Sequence, residues 1–487
     1  SLSIPHLPPQ IQQKYILFFG LDTENYFFCG LKLQNGSGCI TIAVTNRTLR
    51  ERREGFWMAT SRQLREQIAA GRRDAALAAL YGGSKEVLSR QRSRYGAALE
   101  QFELYYGPGR QVQVYSAPGR TELGGNHTDH QHGYGLAGAV TLDLVAVASR
   151  NEDGFIRVKS RGFNKLDVID LTEAEPQQGE STHSASLIRG IAEGFRAKGC
   201  DVGGFDAYTA SDVLRGSGLS SSAAFEMGVA MILNTEYGCG LDAPALARIC
   251  QFAENTYFGK PSGLLDQLTS AVGGVLFADF ADPTAPKIEK IHADGVLPEG
   301  MTLCVTDTRA SHSELTGEFA AIRNEMEAVA ACLGGKVLGE VDEKRFWQEL
   351  PRLREQCGDR AVLRAIHYFE ENARTLAQRA ALAAGDFAAF ARLVEKSGHS
   401  SFECCQNVYC ASSPKHQGLS AALAISQSIL AGTGGAWRMQ GGGFAGTIQA
   451  FVPDALVKRY CAAMEALFGP GCCYLLSLRE QGAVRVL

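Results

Sequence analysis

Apolar side chains recur every three to four positions over residues 63–70, 73–81 and 84–105, with breaks at Gly71 and at Gly82-Gly83. That spacing belongs to helices that bury one face, so three successive helices are expected. Residues 111–116 instead alternate apolar and polar, as a half-buried strand does. The polar, glycine-punctuated stretch that follows, as far as Gly135, is expected to be a loop. Residues 137–149 predict a second β-rich region, and 205–209 a further strand. A helical pattern over 223–233 stops at Gly238, and another runs over 244–257. Residues 273–280 and 301–307 read as buried strands, and 318–333 and 361–385 as long helices. The tail alternates short strands around Gly441-Gly442-Gly443. No internal repeat is visible. Strands and helices mix without strict βαβ alternation, which favours α+β layers over a doubly wound sheet.

A chain of 487 residues exceeds a single compact core, so two domains with an extra segment are expected. The predicted boundaries give a helical segment over 58–110, one domain over 111–300 and a second over 301–487. Composition is that of an ordinary globular protein, with 45% hydrophobic and 21% charged residues. A net charge of −4 implies no broad basic face, so nucleic acid is not an expected partner. The 14 cysteines are scattered, and Cys404-Cys405 and Cys472-Cys473 are adjacent pairs. They form neither a disulfide framework nor a Cys-x-x-Cys metal pattern, so reduced thiols in a cytoplasmic enzyme are expected. No apolar run reaches membrane-spanning length, and no membrane partner is expected.

Four stretches carry candidate chemistry. Gly216-Ser217-Gly218-Leu219-Ser220-Ser221-Ser222-Ala223 lies between the strand at 205–209 and the helix at 223–233. A Gly-rich turn entering a helix aims backbone N–H groups and the helix dipole at an anion, typically phosphate. No Gly-Lys-Ser/Thr closes this loop, so amides, hydroxyls and a metal ion must do the work of the usual lysine. The plainer reading is a surface turn with an N-capping serine. The second stretch, Pro118 to Gly133, gathers Arg120, Asp129, His127, His130 and His132. It reads as a metal cluster, as a sugar pocket using Asp129 and His127, or as a polar surface loop. The third joins Glu254, late in a helix, to Asp266 after a Pro-Ser-Gly turn, where a carboxylate can approach a ligand closely. The fourth, Arg438 to Gly446, suggests close backbone approach to a ligand or another loop, or else a flexible hairpin.

In this order the segments resemble the GHMP small-molecule kinases, galactokinases above all. The stretches carrying the likeness are Gly119 to Asp129, Gly218-Leu219-Ser220-Ser221-Ser222-Ala223, Gly263-Leu264-Leu265-Asp266-Gln267 and Gly441-Gly442-Gly443-Phe444, with Gly385 to Ser400 also similar. The likeness runs from about Ser93 to the end. It implies an α+β, two-domain fold: an N-terminal domain like domain 2 of ribosomal protein S5, and a ferredoxin-like C-terminal domain. It also implies roles. Asp266 takes or orients the proton of the anomeric hydroxyl, and Arg120 keeps Asp266 ionised and stabilises the transferred phosphoryl group. Gly216 through Ser222 cradle ATP, while Ser222 and Glu254 hold Mg²⁺. His127, Asp129 and Gly263 contact the sugar. Two positions depart from the family pattern. Asn126 stands where galactokinases place a sugar-binding glutamate, and Phe319 where they place a tyrosine.

The implied activity is ATP-dependent phosphorylation of a monosaccharide at the anomeric hydroxyl, with galactose or a close relative as substrate. The alternatives are a kinase for another sugar such as an N-acetylated hexosamine, a non-catalytic sugar sensor, and a metallohydrolase built on the histidine cluster. The intact Ser222-Ala223 pair favours catalysis over the sensor. Residues 1–57 lack pattern and precede a plausible initiator, Met58. Arg52-Arg53-Glu54 can be encoded as AGG-AGG-GAG, like a ribosome-binding site, so this segment is expected to be a non-native or disordered leader. The alternative is a genuine extension with a short strand at 15–19.

Overall fold

The computed structural model describes residues 15–21, 27–33, 39–44, 59–177, 179–213, 218–260, 262–310 and 316–487. The chain divides into two compact units, residues 1–60 and 61–487. In the first, β1 (Tyr15–Leu21), β2 (Phe27–Leu33) and β3 (Cys39–Val44) form an antiparallel sheet in that order. β1 covers the strand offered above as the alternative to a leader. Met58 lies outside the described residues.

The second unit begins with α1 (Ser61–Ala69), α2 (Asp74–Tyr81) and α3 (Lys85–Tyr106), close to the expected spans. Ser84 caps α3 by accepting from Val87 N at 3.2 Å, which satisfies one of the free amides of a helix start. α2 and α3 are anchored on Asp143, which is fully buried. Arg94 donates to Asp143 Oδ1 at 2.5 Å and Tyr81 to Oδ2 at 2.5 Å, while Arg479 reaches Oδ2 at 3.2 Å. A buried carboxylate needs such partners, because leaving one uncompensated costs several kcal/mol.

β4 (Gln113–Gly124) and β5 (Tyr134–Arg150) form the spine of the large sheet. β4 corrects the sequence expectation. The strand does not end at 116 but continues through Pro118, Gly119 and Gly124, where a loop was expected. Register shifts between Pro118 and Arg120, and again between Glu122 and Gly124, absorb the irregular residues while pairing with β5 persists. Next come β6 (Phe155–Ser160), β7 (Asp167–Asp170), α4 (Ser184–Ala197), β8 (Phe205–Ser211), α5 (Ser221–Glu236), α6 (Ala243–Phe252), α7 (Leu265–Val272), β9 (Val275–Asp279) and β10 (Lys287–Ile291). The sheet order is β10-β9-β5-β8-β6-β7, with β4 on the other edge of β5. The sequence reading gave no helix at α4, whose Gly190 and Gly194 weaken the local signal. Gly190 is there for packing: a Cβ would meet Ala253 and Tyr257 at 2.8 Å.

A second, antiparallel sheet has the order β12-β13-β11-β14, from β11 (Met301–Asp307), β12 (Ala436–Met439), β13 (Thr447–Pro453) and β14 (Cys473–Leu476). Helices α8 (Thr316–Cys332), α9 (Asp359–Ala383), α10 (Phe387–Ser400), α11 (Gly418–Leu430) and α12 (Val457–Phe468) accompany it. The chain then returns to the large sheet, where β15 (Val484–Arg485) pairs with β4. One hydrophobic core runs from Ala146 and Phe205 of the large sheet to Leu303 and Phe451 of the small one. The described cysteines, Cys200 to Cys473, are free thiols, and no described helix is long and apolar enough to cross a membrane.

Candidate active site

β4 carries Arg120 to the mouth of α5. Arg120 N donates to Leu219 O at 3.0 Å, fixing the strand against the loop before the helix. Its guanidinium is buried; Nε donates to Asp266 Oδ1 at 2.7 Å and Nη1 donates to Gly218 O. Ser220 donates to Asp266 Oδ2 at 2.5 Å from a left-handed backbone with φ 58°. A non-glycine residue there is strained by about 1–2 kcal/mol, and such strain is retained where it aims a group at a functional one. Asp266 sits in the first turn of α7, where the helix dipole favours an anion. Burial pushes its carboxyl up, but Arg120, the Ser220 hydroxyl and Lys260 outweigh it and hold the pKa below the ordinary value. Asp266 stays charged at neutral pH, with 36% of its side chain open to the cavity.

Of the expected phosphate loop, Gly216 and Ser217 lie outside the described residues. Gly218, Leu219 and Ser220 lead into α5, whose first turn holds Ser221 and Ser222. The Leu219 side chain is fully buried, so only its backbone serves the loop. Ser222 Oγ donates to Glu254 Oε1 at 3.2 Å. Glu254 lies where α6 widens into a π-turn at Ala253–Phe258, a helical irregularity common at functional sites. Three residues that the sequence reading left without roles complete this cluster. Lys260 Nζ donates to Glu254 Oε1 at 2.8 Å, and Gln267 Nε2 donates to Glu254 Oε2 at 2.9 Å and to Glu226 Oε2 at 3.1 Å. Burial, then the Glu254 charge, push Glu226 well above the carboxylate range, and its Oε1 has no hydrogen-bond partner. Glu226 was legible only as one helical turn beyond Ser222.

Beyond Asp266 the cavity measures about 150 Å³ and reaches Asp129, His127, Asn126 and Glu122. Gly263 lies against Asp129: an added Cβ would fall 2.0 Å from Asp129 Oδ2. His127 Nε2 donates to Gly442 O at 3.0 Å, and burial lowers its pKa to about 4, so the ring is neutral. Asn126 is 1% exposed and its amide is engaged within the protein. Nδ2 donates to Glu122 Oε1 at 3.0 Å and to Gly441 O at 2.7 Å, and Oδ1 accepts from Asn407 Nδ2 at 2.9 Å. The Phe319 ring lies against Gly442, 2.5 Å from a Cβ added there, and edge-on to Phe444 with centroids 5.4 Å apart. The Gly441–Gly443 turn therefore closes on another loop: its carbonyls hold His127 and Asn126.

The histidine-cluster metal centre does not form. Among the described residues the close group of metal-ligand types is Cys304, Cys461 and Cys473, on β11, α12 and β14. His127 instead bonds a carbonyl, and His130 Nδ1 meets Gln131 Nε2 at 3.1 Å.

Comparison with known proteins agrees with this geometry. The galactokinase galactose-binding signature matches residues 100–150, and the N-terminal domain of GHMP kinases matches 186–274. A galactokinase of Lactococcus lactis, solved with galactose, superposes with a TM-score of 0.68 at 24% identity, covering 79% of this chain and 98% of that one. The Methanococcus jannaschii mevalonate kinase gives 0.54 at 16% identity, over 76% and 99%. These likenesses show the fold. The galactokinase of Streptomyces coelicolor is 35% identical over 379 residues, 77% of this chain and 92% of that protein. With that extent of identity, the chain belongs to the galactokinases of the GHMP kinase family.

Proposed function

We propose that this protein is an ATP-dependent kinase that phosphorylates galactose on its anomeric hydroxyl. The observation that carries the reading is the placement of Asp266. Its carboxylate is held between Arg120 and Ser220, beside the N-terminus of α5, and opens onto the cavity that holds Asp129, His127 and Gly263. The helix start suits the phosphates of ATP and the cavity suits a sugar. In the reaction the anomeric oxygen attacks the γ-phosphorus, and the bond to the β,γ-bridging oxygen breaks. ADP leaves with that electron pair, and the hydroxyl proton passes to Asp266. Because Arg120 keeps Asp266 charged, the carboxylate orients the hydroxyl first and takes the proton late, as suits a loose transition state. Arg120 also faces the charge of the phosphoryl group in flight.

The residues present fit a magnesium ion. Glu254 Oε1 already meets a cation, the Lys260 ammonium, and lies beside the Ser222 hydroxyl. Ser222 and Glu254 would hold the metal, which when bound neutralises phosphate charge.

The test is ADP release from ATP and Mg²⁺ with a monosaccharide panel. Galactose is expected to give the highest kcat/KM. Release with N-acetylgalactosamine but not galactose moves the substrate to an N-acetylated hexosamine. Release with no sugar rejects the kinase.

A further inference from the structure

Resting on that reading, we propose that Glu122, not Asn126, supplies the carboxylate that reads a hydroxyl of the sugar. Asn126 occupies the place of the family's sugar-binding glutamate, yet it cannot act as one. Both amide hydrogens are spent, on Glu122 and on Gly441, its oxygen accepts from Asn407, and it is 1% exposed.

Glu122 is built differently. It lies two residues after Arg120 on β4, and residues i and i+2 of a strand point to the same face. Arg120 and Glu122 accordingly both line the cavity, one at the phosphoryl end and one at the sugar end. The carboxylate is oriented by two donors on one oxygen: Oε1 accepts from Arg438 Nη2 at 2.6 Å and from Asn126 Nδ2 at 3.0 Å. Oε2 accepts no hydrogen bond among the described residues, and 11% of the side chain remains open. A buried carboxylate with one oxygen fixed and the other facing a cavity is an acceptor waiting for a donor, because an unmet polar atom there is costly. A sugar hydroxyl is the donor that this cavity's proposed substrate provides. Glu122 carries the negative charge that a carboxamide at 126 lacks, and Arg438, itself fully buried, is its counter-ion. Asn126 thus becomes a positioning residue and Glu122 a specificity residue.

The test compares wild type, Glu122→Gln and Glu122→Asp with galactose and with its 2-, 3-, 4- and 6-deoxy analogues. Wild-type turnover of galactose comes first; its absence rejects the galactose kinase reading, separately from this proposal. Both variants are expected to raise the galactose KM roughly tenfold to a hundredfold, the loss of a charge-assisted hydrogen bond, while the KM for ATP holds. One deoxy analogue should lose its wild-type penalty in the variants, because its missing hydroxyl no longer has a partner to lose. A purely structural role for Glu122 would leave all four penalties as in wild type. Glu122→Asp keeps a counter-ion for Arg438, so it serves if Glu122→Gln fails to fold. An unchanged galactose KM, or unchanged deoxy-sugar penalties in whichever variant folds, overturns the proposal.

Discussion

The two ends of the cavity are assembled in different ways. At the phosphoryl end, Arg120, Ser220, Ser222, Glu254 and Asp266 each stand on a short motif, and they meet directly, with contacts of 2.5 to 3.2 Å. At the sugar end the motif residues are held by distant parts of the chain. Asn126 is bonded by Asn407, 281 residues away, and its carbonyl by His367, 241 away; Glu122 is paired with Arg438, 316 away. Gly125 N donates to Glu371 Oε1 at 3.2 Å, another long-range tie. The phosphoryl end is thus built within the large sheet and its own helices, although Arg120 and Asp266 lie 146 residues apart, while the recognition surface depends on how the two sheets come together.

That contrast can be broken in four places. The largest effect is expected from Asp266→Asn, which removes the base and its charge with little change in shape. Turnover should fall roughly 10²- to 10⁴-fold, with ATP binding retained by calorimetry; near-wild-type kcat would remove Asp266 from the chemistry. Gly263→Ala attacks the other end. Its Cβ would lie 2.0 Å from Asp129 Oδ2, so the galactose KM should rise roughly 10- to 100-fold through displacement of Asp129. An unchanged KM would detach Asp129 from the sugar. Glu254→Gln should raise the Mg²⁺ concentration for half-maximal rate by about tenfold, read from Mg²⁺ titrations at fixed sugar. The smallest effect is on pH. Asp266 is depressed below its usual 3.8 by Arg120 and Ser220 against the opposing burial. The acid limb of kcat/KM should therefore lie below the ordinary carboxylate range, and the residual activity of Arg120→Ala should show that limb moved upward. The sign for stability agrees: a depressed carboxylate stabilises the fold above its unfolded pKa, and the contribution is lost as pH falls through the folded value.

The phosphoryl end was largely legible in the sequence, because a strand, a Gly-Ser turn and a helix start announce themselves locally. Gln267 lies in a named motif and Lys260 beside one, and neither was given a role; nothing in their spacing says that they bond Glu254. At the proposed sugar end the sequence singled out His127, Asp129 and Gly263, which line one cavity, but not Glu122, which lines it too. Residues 117–135 read as a loop because Pro118, Gly119, Gly124 and Gly125 suppress strand propensity. Only the two register shifts that keep β4 paired reveal the i, i+2 relation of Arg120 and Glu122. Phe319 was expected at the sugar; its ring lies against Gly442 and Phe444, where α8 meets the glycine turn. The helix at 244–257 was foreseen as one regular element, and the π-turn that carries Glu254 has no sequence marker.

The account stands most directly on the identity of the product. Phosphorus NMR of the protein incubated with ATP, Mg²⁺ and galactose should show one new sugar phosphate, esterified at the anomeric oxygen and formed mole for mole with ADP. Phosphate on any other hydroxyl, or ATP hydrolysis without a sugar ester, would contradict the placement of Asp266 between the two ends of the cavity.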